Sequence, residues 1–542
     1  MSKCRFLSFL LIIVSISGSI LADEKDAKKA SELVTKGREL YGTGDIDGAL
    51  KLFEQALEAD ITNVDAHRYY QDIMRERGYH EKLLKVYAEY LKVKPDSALF
   101  NYLMGRLQTD IEEERKFYKK AIELDDKFYF GHFGLGYIYS SEKDFDNAKK
   151  EYAKCVEVDP NRPEGHFWLG KSYRELSEYD EALKTYEKMA QIFPKDPIPY
   201  IEMARTQVER GLHKEALDFF KKADSLGAKT VDFIREYAEA YAAVGEKEKA
   251  VSTFARTLDI PNLKPDFYEL LFHRCRMLFL PPLAEHLRAD LEKAKESLRN
   301  GDVDEALEQL EKLYKEAQDE PEVIIWLARA YLIKKDVEKG FSYAKKSLEK
   351  NNNFAEAHFT IGALYGIQKD WDNAEKHLKR CLELNPFDKE ASFHYAQVML
   401  IKGNCIEAIV FALRYYRLGG NLRNTQTLAM LAELNLETPE LLEKEFKEDE
   451  LTVKVYRGLK HNLPGYRFIY RFRVYDKDGN FKRNIFVIVT EEEIEGKLKT
   501  TCTMSEITFD EKEQEGRLVE HFKYEKEPTL EKAIEDFKKL LK

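Results

Sequence analysis

Groups of residues return at a fixed interval along this chain. Leu135-Gly136, Tyr139, Ala148, Tyr152 and Pro160 are followed by Leu169-Gly170, Tyr173, Ala182, Tyr186 and Pro194. Ile361-Gly362, Tyr365, Ala374, Leu378 and Pro386 give the same series again. The interval is roughly 34 residues, enough for two short helices and two turns, and self-similarity of this length marks a stack of repeats. Apolar residues at three- and four-residue steps put one face of each helix against its neighbours. A small residue in the first helix (Gly37, Gly105, Gly136, Gly170, Ala204, Ala238, Ala328, Gly362, Ala396) lets the paired helix come close. Glycine inside a helix costs up to about 1 kcal/mol, so packing must offset it. Alanine in the second helix (Ala49, Ala148, Ala182, Ala216, Ala250, Ala306, Ala374, Ala408) does the same without that cost. Pro95, Pro160, Pro194 and Pro386 end second helices, because proline lacks the amide and clashes with the preceding turn.

The spacing resembles the tetratricopeptide repeat. The resemblance implies a mainly α chain, an α-solenoid in which helical hairpins stack into a right-handed superhelix. Eleven units begin near Ala30, Val64, Ala98, Tyr129, Pro163, Pro197, Val231, His286, Pro321, Ala355 and Lys389. The third is short between Gly105 and Ala121. The second has Gln71 in the small-residue slot, so its helix pair should pack differently. Residues 262–286, with Phe267, Leu271, Phe272, Met277, Phe279 and Pro281-Pro282, break the pattern. They read as an extra helix and a bend between one array over 23–261 and a second, with closing helices, over 287–440.

The N-terminus has the pattern of a secretory signal peptide over 1–22: Lys3 and Arg5, then an apolar run from Phe6 to Ala22 with small residues near its end. The alternative is an uncleaved membrane anchor. Five cysteines follow (Cys155, Cys275, Cys381, Cys405, Cys502), odd in number and widely spaced, which argues against a disulfide framework. An exported chain of this kind suits a bacterial envelope or periplasm. The formal net charge of −11, with Lys and Glu interspersed, argues against a general nucleic-acid binder, which would need a basic face.

After about Glu450 the period changes from helical to alternating. Tyr466, Phe468, Tyr470, Phe472 and Val474 alternate with Arg467, Ile469, Arg471 and Arg473. Asp476 to Asn480 makes a turn and Phe481–Val489 returns, a hairpin. Leu498–Phe509 and Gly516–Tyr524 read as further strands, Leu451–Tyr456 as a fifth, and Leu530–Leu541 as a helix capped by Thr529. The expectation is a small α+β domain over 451–542, an antiparallel sheet with one helix-covered face. The arginine row reads as a solvated sheet face, and Asp476, Asp478 and Asn480 as a turn rather than a calcium loop, since no downstream Glu completes one.

No nucleophile elbow, phosphate loop, His-Glu-x-x-His or Cys-x-x-Cys is present. His132, His166 and His358 hold matching slots without a second ligand spaced to join them, which favours structure over metal binding. The chain therefore reads as a non-enzymatic scaffold with no cofactor and no metal, holding a protein or peptide in its concave groove. The resemblance places Tyr102, Arg106, Phe133, Tyr137, Phe167, Lys171, Arg174, Arg205 and Arg235 on that wall, with Arg329 and Phe359 further on. Two alternatives stand beside it: a glycan-binding accessory of polysaccharide export or cell-wall assembly, and a hydrolase in the C-terminal domain using Cys502, Glu520 and His521.

Overall fold

The computed structural model describes residues 24–280, 282–437, 441–448, 450–459, 466–494, 497–510 and 515–541. The expected signal segment over 1–22 lies outside the described residues, as does Pro281. The chain divides into two compact units, one ending at Phe233 and one beginning at Ile234.

The first unit contains α1 (Glu24–Gly42), α2 (Ile46–Ala59), α3 (Val64–Glu76), α4 (His80–Val93), α5 (Ala98–Gly105), α6 (Ile111–Leu124), α7 (Tyr129–Ser141), α8 (Phe145–Val158), α9 (Pro163–Glu175), α10 (Tyr179–Ile192), α11 (Ile198–Glu209) and α12 (His213–Ser225). Helix α13 (Val231–Ala243) carries the division. The second unit continues with α14 (Lys247–Ala255), a 3₁₀ turn (Arg256–Asp259), α15 (Pro265–Phe279), α16 (Glu285–Asn300), α17 (Val303–Glu316), α18 (Pro321–Ile333), α19 (Val337–Lys350), α20 (Ala355–Ile367), α21 (Trp371–Leu384), α22 (Lys389–Ile401), α23 (Cys405–Arg417) and α24 (Leu422–Asn435). Among the described residues eleven helix–turn–helix units thus follow one another, with α15 and α24 outside the pairing. The division falls earlier than the sequence break at 262–286. The reason is that α14 packs against α21, which draws the seventh repeat into the second unit.

Each glycine in the small-residue slot of a first helix faces a ring or a leucine from its own second helix. A Cβ added at Gly170 would lie 2.5 Å from the Tyr186 ring, and one at Gly136 2.8 Å from Tyr152. Gly362 faces Leu378 in the same way at 2.8 Å. Tyr186 and Tyr152 are fully buried, so neither ring can retreat. Gly170→Ala should therefore destabilise the first unit by about 1–3 kcal/mol through overpacking, despite alanine's better helix propensity. Gly366→Ala in α20, where a Cβ meets nothing within 4 Å, should instead gain about 0.5 kcal/mol. Thermal unfolding followed by circular dichroism separates the two signs. Gln71 is fully buried and donates to the Leu103 carbonyl at 2.9 Å, tying α3 to the next repeat's first helix.

The matching histidines clamp the turns between repeats. Nε2 of His67, His132, His166 and His358 lies 2.8, 3.0, 2.8 and 3.1 Å from the carbonyl six residues earlier. Asn101 holds the same slot and donates to the Pro95 carbonyl at 3.0 Å. Asp45, Asp144, Asp336 and Asp370 cap the second helices of their repeats. All five cysteines of the described residues are buried and free.

The C-terminal part of the second unit is an antiparallel meander of β1 (Leu442–Glu448), β2 (Leu451–Arg457), β3 (Tyr466–Tyr475), β4 (Phe481–Ile494), β5 (Lys497–Asp510) and β6 (Glu515–Tyr524), followed by α25 (Leu530–Leu541). Strand β1 was not expected from the sequence. Asp476 accepts from the amides of Asp478 and Asn480 at 3.0 and 2.8 Å and closes the hairpin turn. The amide of Asn480 and the ammonium of Lys482 hold its carboxyl down at about 2.

The sheet differs from expectation in one decisive way. A bulge shifts the register between Phe468 and Tyr470, so the simple alternation along β3 breaks there. Phe472 and Val474 face α25, where Phe472 stacks on Phe537 at 4.5 Å. Phe468 joins Phe486 and Ile488 on the opposite side, against Ala396, Ala412, Leu428 and Ala429 of the last repeat helices. Both faces are therefore covered by helices. Of the arginine row only Arg467 stays in solvent: Arg471 is fully buried and Arg473 nearly so, because both reach the C-terminal carbonyls of α24.

Candidate partner-binding walls

In the first unit, the structure divides the residues expected on the wall. Tyr102 is 3% exposed and packed among Tyr118, Phe128 and Phe130, with ring centroids 5.5, 5.7 and 5.6 Å away. It is a core residue, a correction to its expected place on the wall, because the three rings enclose it. Arg174 is also buried, pairing with Glu202 at 2.6 Å and Glu209 at 3.1 Å. Arg106 is mostly covered and pairs with Asp72 at 2.5 Å. Arg205 pairs with Glu202 at 2.5 Å and keeps a third of its side chain in solvent.

The open part of this wall lies on α7, α9 and α11. Tyr137 is 54% exposed. Its ring stands edge-on to Trp168 at 6.0 Å, and Phe167 meets the same indole at 5.5 Å. Trp168 is stacked on Tyr152 at 5.9 Å, and the Lys171 ammonium lies 4.8 Å from its ring. Phe133 is half-buried, stacked on Tyr129. Aromatic anchors beside a cation are the mixture that dominates binding hot spots.

Toward the N-terminal side the wall is crossed. Arg162 of the fifth repeat reaches Asp65 of the second at 3.0 Å, and Arg68 reaches the same carboxylate at 3.1 Å. Both guanidinium groups lie over the Phe130 ring, at 4.6 and 4.9 Å. Burial pushes the Asp65 carboxyl up, but Arg162 and Arg68 outweigh it and hold it below the usual carboxylate range.

Arg235, Arg329 and Phe359 belong to the second unit. Arg235 is exposed. The Arg329 guanidinium lies 4.8 Å from the Trp326 ring and 5.5 Å from Phe359. Arg329, Phe359 and Trp326 line a cleft of about 750 Å³ with Arg276, Met277, Lys295, Glu322, Glu356 and Glu390, and Arg235 is not among its lining residues. Here the inner wall is not empty. Helix α15 lies against it, with Arg276 bridging Glu322 and Glu356 at 2.6 Å each.

Sequence models of the tetratricopeptide repeat match residues 131–162, 163–196, 291–357 and 355–388. The chain is a tetratricopeptide repeat protein. Among solved structures it is similar to YrrB, described as a tetratricopeptide repeat protein with an unusual peptide-binding site: 19% identity over 33% of this chain and 93% of the other, TM-score 0.29. A tetratricopeptide repeat protein from Parabacteroides merdae is 18% identical over 45% and 97%, TM-score 0.31. The Naa15/Naa10 complex bound to HypK-THB is 14% identical over 74% and 70%, TM-score 0.27. No curated protein matches the sequence.

Sequence reasoning about this tetratricopeptide repeat protein passed over Trp168 and Trp326 as wall residues. Both hold one slot, the sixth residue of a first helix, which was the available signal. It also missed the acidic row Glu322, Glu356 and Glu390, one per repeat. In the C-terminal domain Cys502 is buried in the core beneath α25, and burial pushes its thiol up to about 11. His521 turns instead to Glu506 at 3.4 Å. No cluster of three metal-ligating side chains occurs among the described residues.

Proposed function

We propose that this tetratricopeptide repeat protein is a non-enzymatic scaffold that holds a protein or peptide segment on the first unit's wall. The contact residues are Tyr137, Phe167, Trp168, Lys171 and Arg205, with Phe133 beneath them. The observation that carries this reading is the exposed Tyr137 ring beside an indole already fixed by Tyr152. A rigid aromatic anchor loses little entropy when it meets a partner. The glycan alternative asks for an open ring face, whereas Trp168 is covered by Tyr152 and Lys171. A protonated, buried Cys502 is a poor nucleophile, since the thiolate is the reactive form. That supports a binding role for the C-terminal domain also.

The apolar run behind Lys3 and Arg5 places the scaffold in the cell envelope in this reading, exported or held near the membrane by an uncleaved segment. Fractionation with N-terminal sequencing of the mature chain tests that part. For the wall, a photo-crosslinking residue at position 137 in intact cells should capture a protein. Tyr137→Ala and Lys171→Glu should each weaken retention of the captured partner at moderate salt by about tenfold, the effect of losing roughly 1.4 kcal/mol. Absence of adducts at 137 together with unchanged retention by both variants sinks the proposal.

A further inference from the structure

Helix α15 belongs to no repeat, yet it lies along the second unit's repeats in step with them. The Asn385 amide donates to the Phe272 carbonyl at 3.1 Å. Asn351, one repeat earlier in the array, donates to the Phe279 carbonyl at 2.9 Å. Gly419, one repeat later, sits so close that a Cβ there would lie 3.1 Å from Pro265. The array positions are one repeat apart, and the α15 positions they meet are two helical turns apart. Two turns of helix climb roughly 10.5 Å. Packed helices stand about 8–10 Å apart, so one repeat advances the wall by a similar distance. The two periods coincide, and successive repeats meet one face of the helix.

The contacts read a helix more than a sequence. Asn351 and Asn385 address backbone carbonyls. The slot of Gly419 needs only closeness. Two charged contacts add to these: Arg276, held between Glu322 and Glu356, which occupy the same slot in α18 and α20, and Arg274, whose guanidinium donates to Glu239 of α13 at 2.7 Å. Lys295 meets Glu322 from the other side at 3.2 Å. Beneath, Tyr268 stacks on Phe387 at 6.2 Å, and Leu271, Cys275 and Leu278 are buried. The wall is not filled by α15: the cleft beside it remains open, and Leu270 and Met277 are 61% and 56% exposed.

We propose that the inner wall of the second unit is a helix-reading groove, with α15 as its internal ligand. A partner enters it as an α-helix with the same face: an arginine for the Glu322–Glu356 pair, and a small or proline residue eleven positions before it. Such a helix displaces α15. The inference is separate from the wall of the first unit and uses none of its residues.

The probe is a labelled synthetic peptide of residues 262–283, offered to the full-length chain. The tethered α15 competes at an effective concentration on the order of millimolar, so the unaltered chain should bind the peptide at least a hundredfold more weakly than one whose α15 is disabled. In the full-length Leu271→Asp/Leu278→Asp variant the peptide should bind with one-to-one stoichiometry. An Arg276→Ala peptide should bind at least tenfold more weakly, and adding Glu322→Arg/Glu356→Arg should abolish uptake. A folded variant that takes up neither peptide, or both equally, overturns the proposal. A milder variant, Arg276→Glu, guards against misfolding. Hydrogen exchange over 265–279 should then quicken at least tenfold while α18 and α20 stay protected; unchanged exchange there overturns the proposal equally.

Discussion

Replacing Arg471 by alanine should cost the second unit about 3–5 kcal/mol and release the sheet from α24. Arg471 is completely buried. Its guanidinium donates to the carbonyls of Glu433 and of Leu436, the latter at 2.8 Å. Arg473 and Asn484 donate to the Leu434 carbonyl at 3.4 and 2.9 Å. Carbonyls at a helix's last turn have no partner within the helix, and the negative end of its dipole favours a cation. The sheet's side chains therefore complete α24, and alanine at 471 would strand buried carbonyl acceptors. Arg467→Ala is the control: its side chain is 45% exposed beside Glu527, so it should cost less than about 1 kcal/mol. Urea unfolding, with proteolysis over 437–466 as the local readout, measures both. A loss below 1 kcal/mol for the Arg471 variant contradicts the account.

Acid should weaken the first unit through His67. The imidazole is fully buried between α3 and α4, among the rings of Tyr87, Tyr90 and Phe100. Nε2 donates to the Ile61 carbonyl at 2.8 Å, which leaves Nδ1 to accept from the Tyr87 hydroxyl at 2.7 Å. Burial pushes the imidazole down to about 4. The unfolded chain thus takes up the proton first, near pH 6.5. Stability from this site is whole above that pH, declines as pH falls, and is fully lost below about 4. The linked loss is about 3 kcal/mol. His67→Gln should be less stable at pH 7.5, and its gap to the unaltered chain should close by pH 4. Hydrogen exchange over 64–93 at graded urea concentrations reads the gap; a gap constant between pH 7.5 and 4 contradicts the assignment.

The repeats were legible because their period is a packing constraint. Gly136, Gly170 and Gly362 stand where a ring or a leucine of the paired helix leaves no room for a side chain. Gln71 was legible as an exception, but its partner, the Leu103 carbonyl, was not. The wall residues were legible only by slot. Phe133 and Tyr102 hold the same first-helix slot, yet Phe133 is half-buried and Tyr102 is core. The rings of Tyr118, Phe128 and Phe130 enclose Tyr102, and no local pattern announces that they converge on it.

The C-terminal sheet misled for a different reason. Alternation assigns faces only while the register holds, and the bulge after Phe468 exchanges them. Arginines at alternate positions of a strand usually meet water. Here they meet the end of a helix that lies some 35 residues away in sequence, and no local pattern announces such a partner.

What the sequence alone determined is the stack of helical pairs and the strand-rich domain after it, because helix period, close-packing slots and strand alternation are local rules of the backbone. Only the tertiary structure decided which walls are open. It placed α15 along the second unit's repeats, drew Arg162 across to Asp65 in the first, and set Arg471 on the end of α24. Each of these joins residues distant in the chain, and such contacts are chosen by the fit of whole surfaces rather than by neighbouring residues.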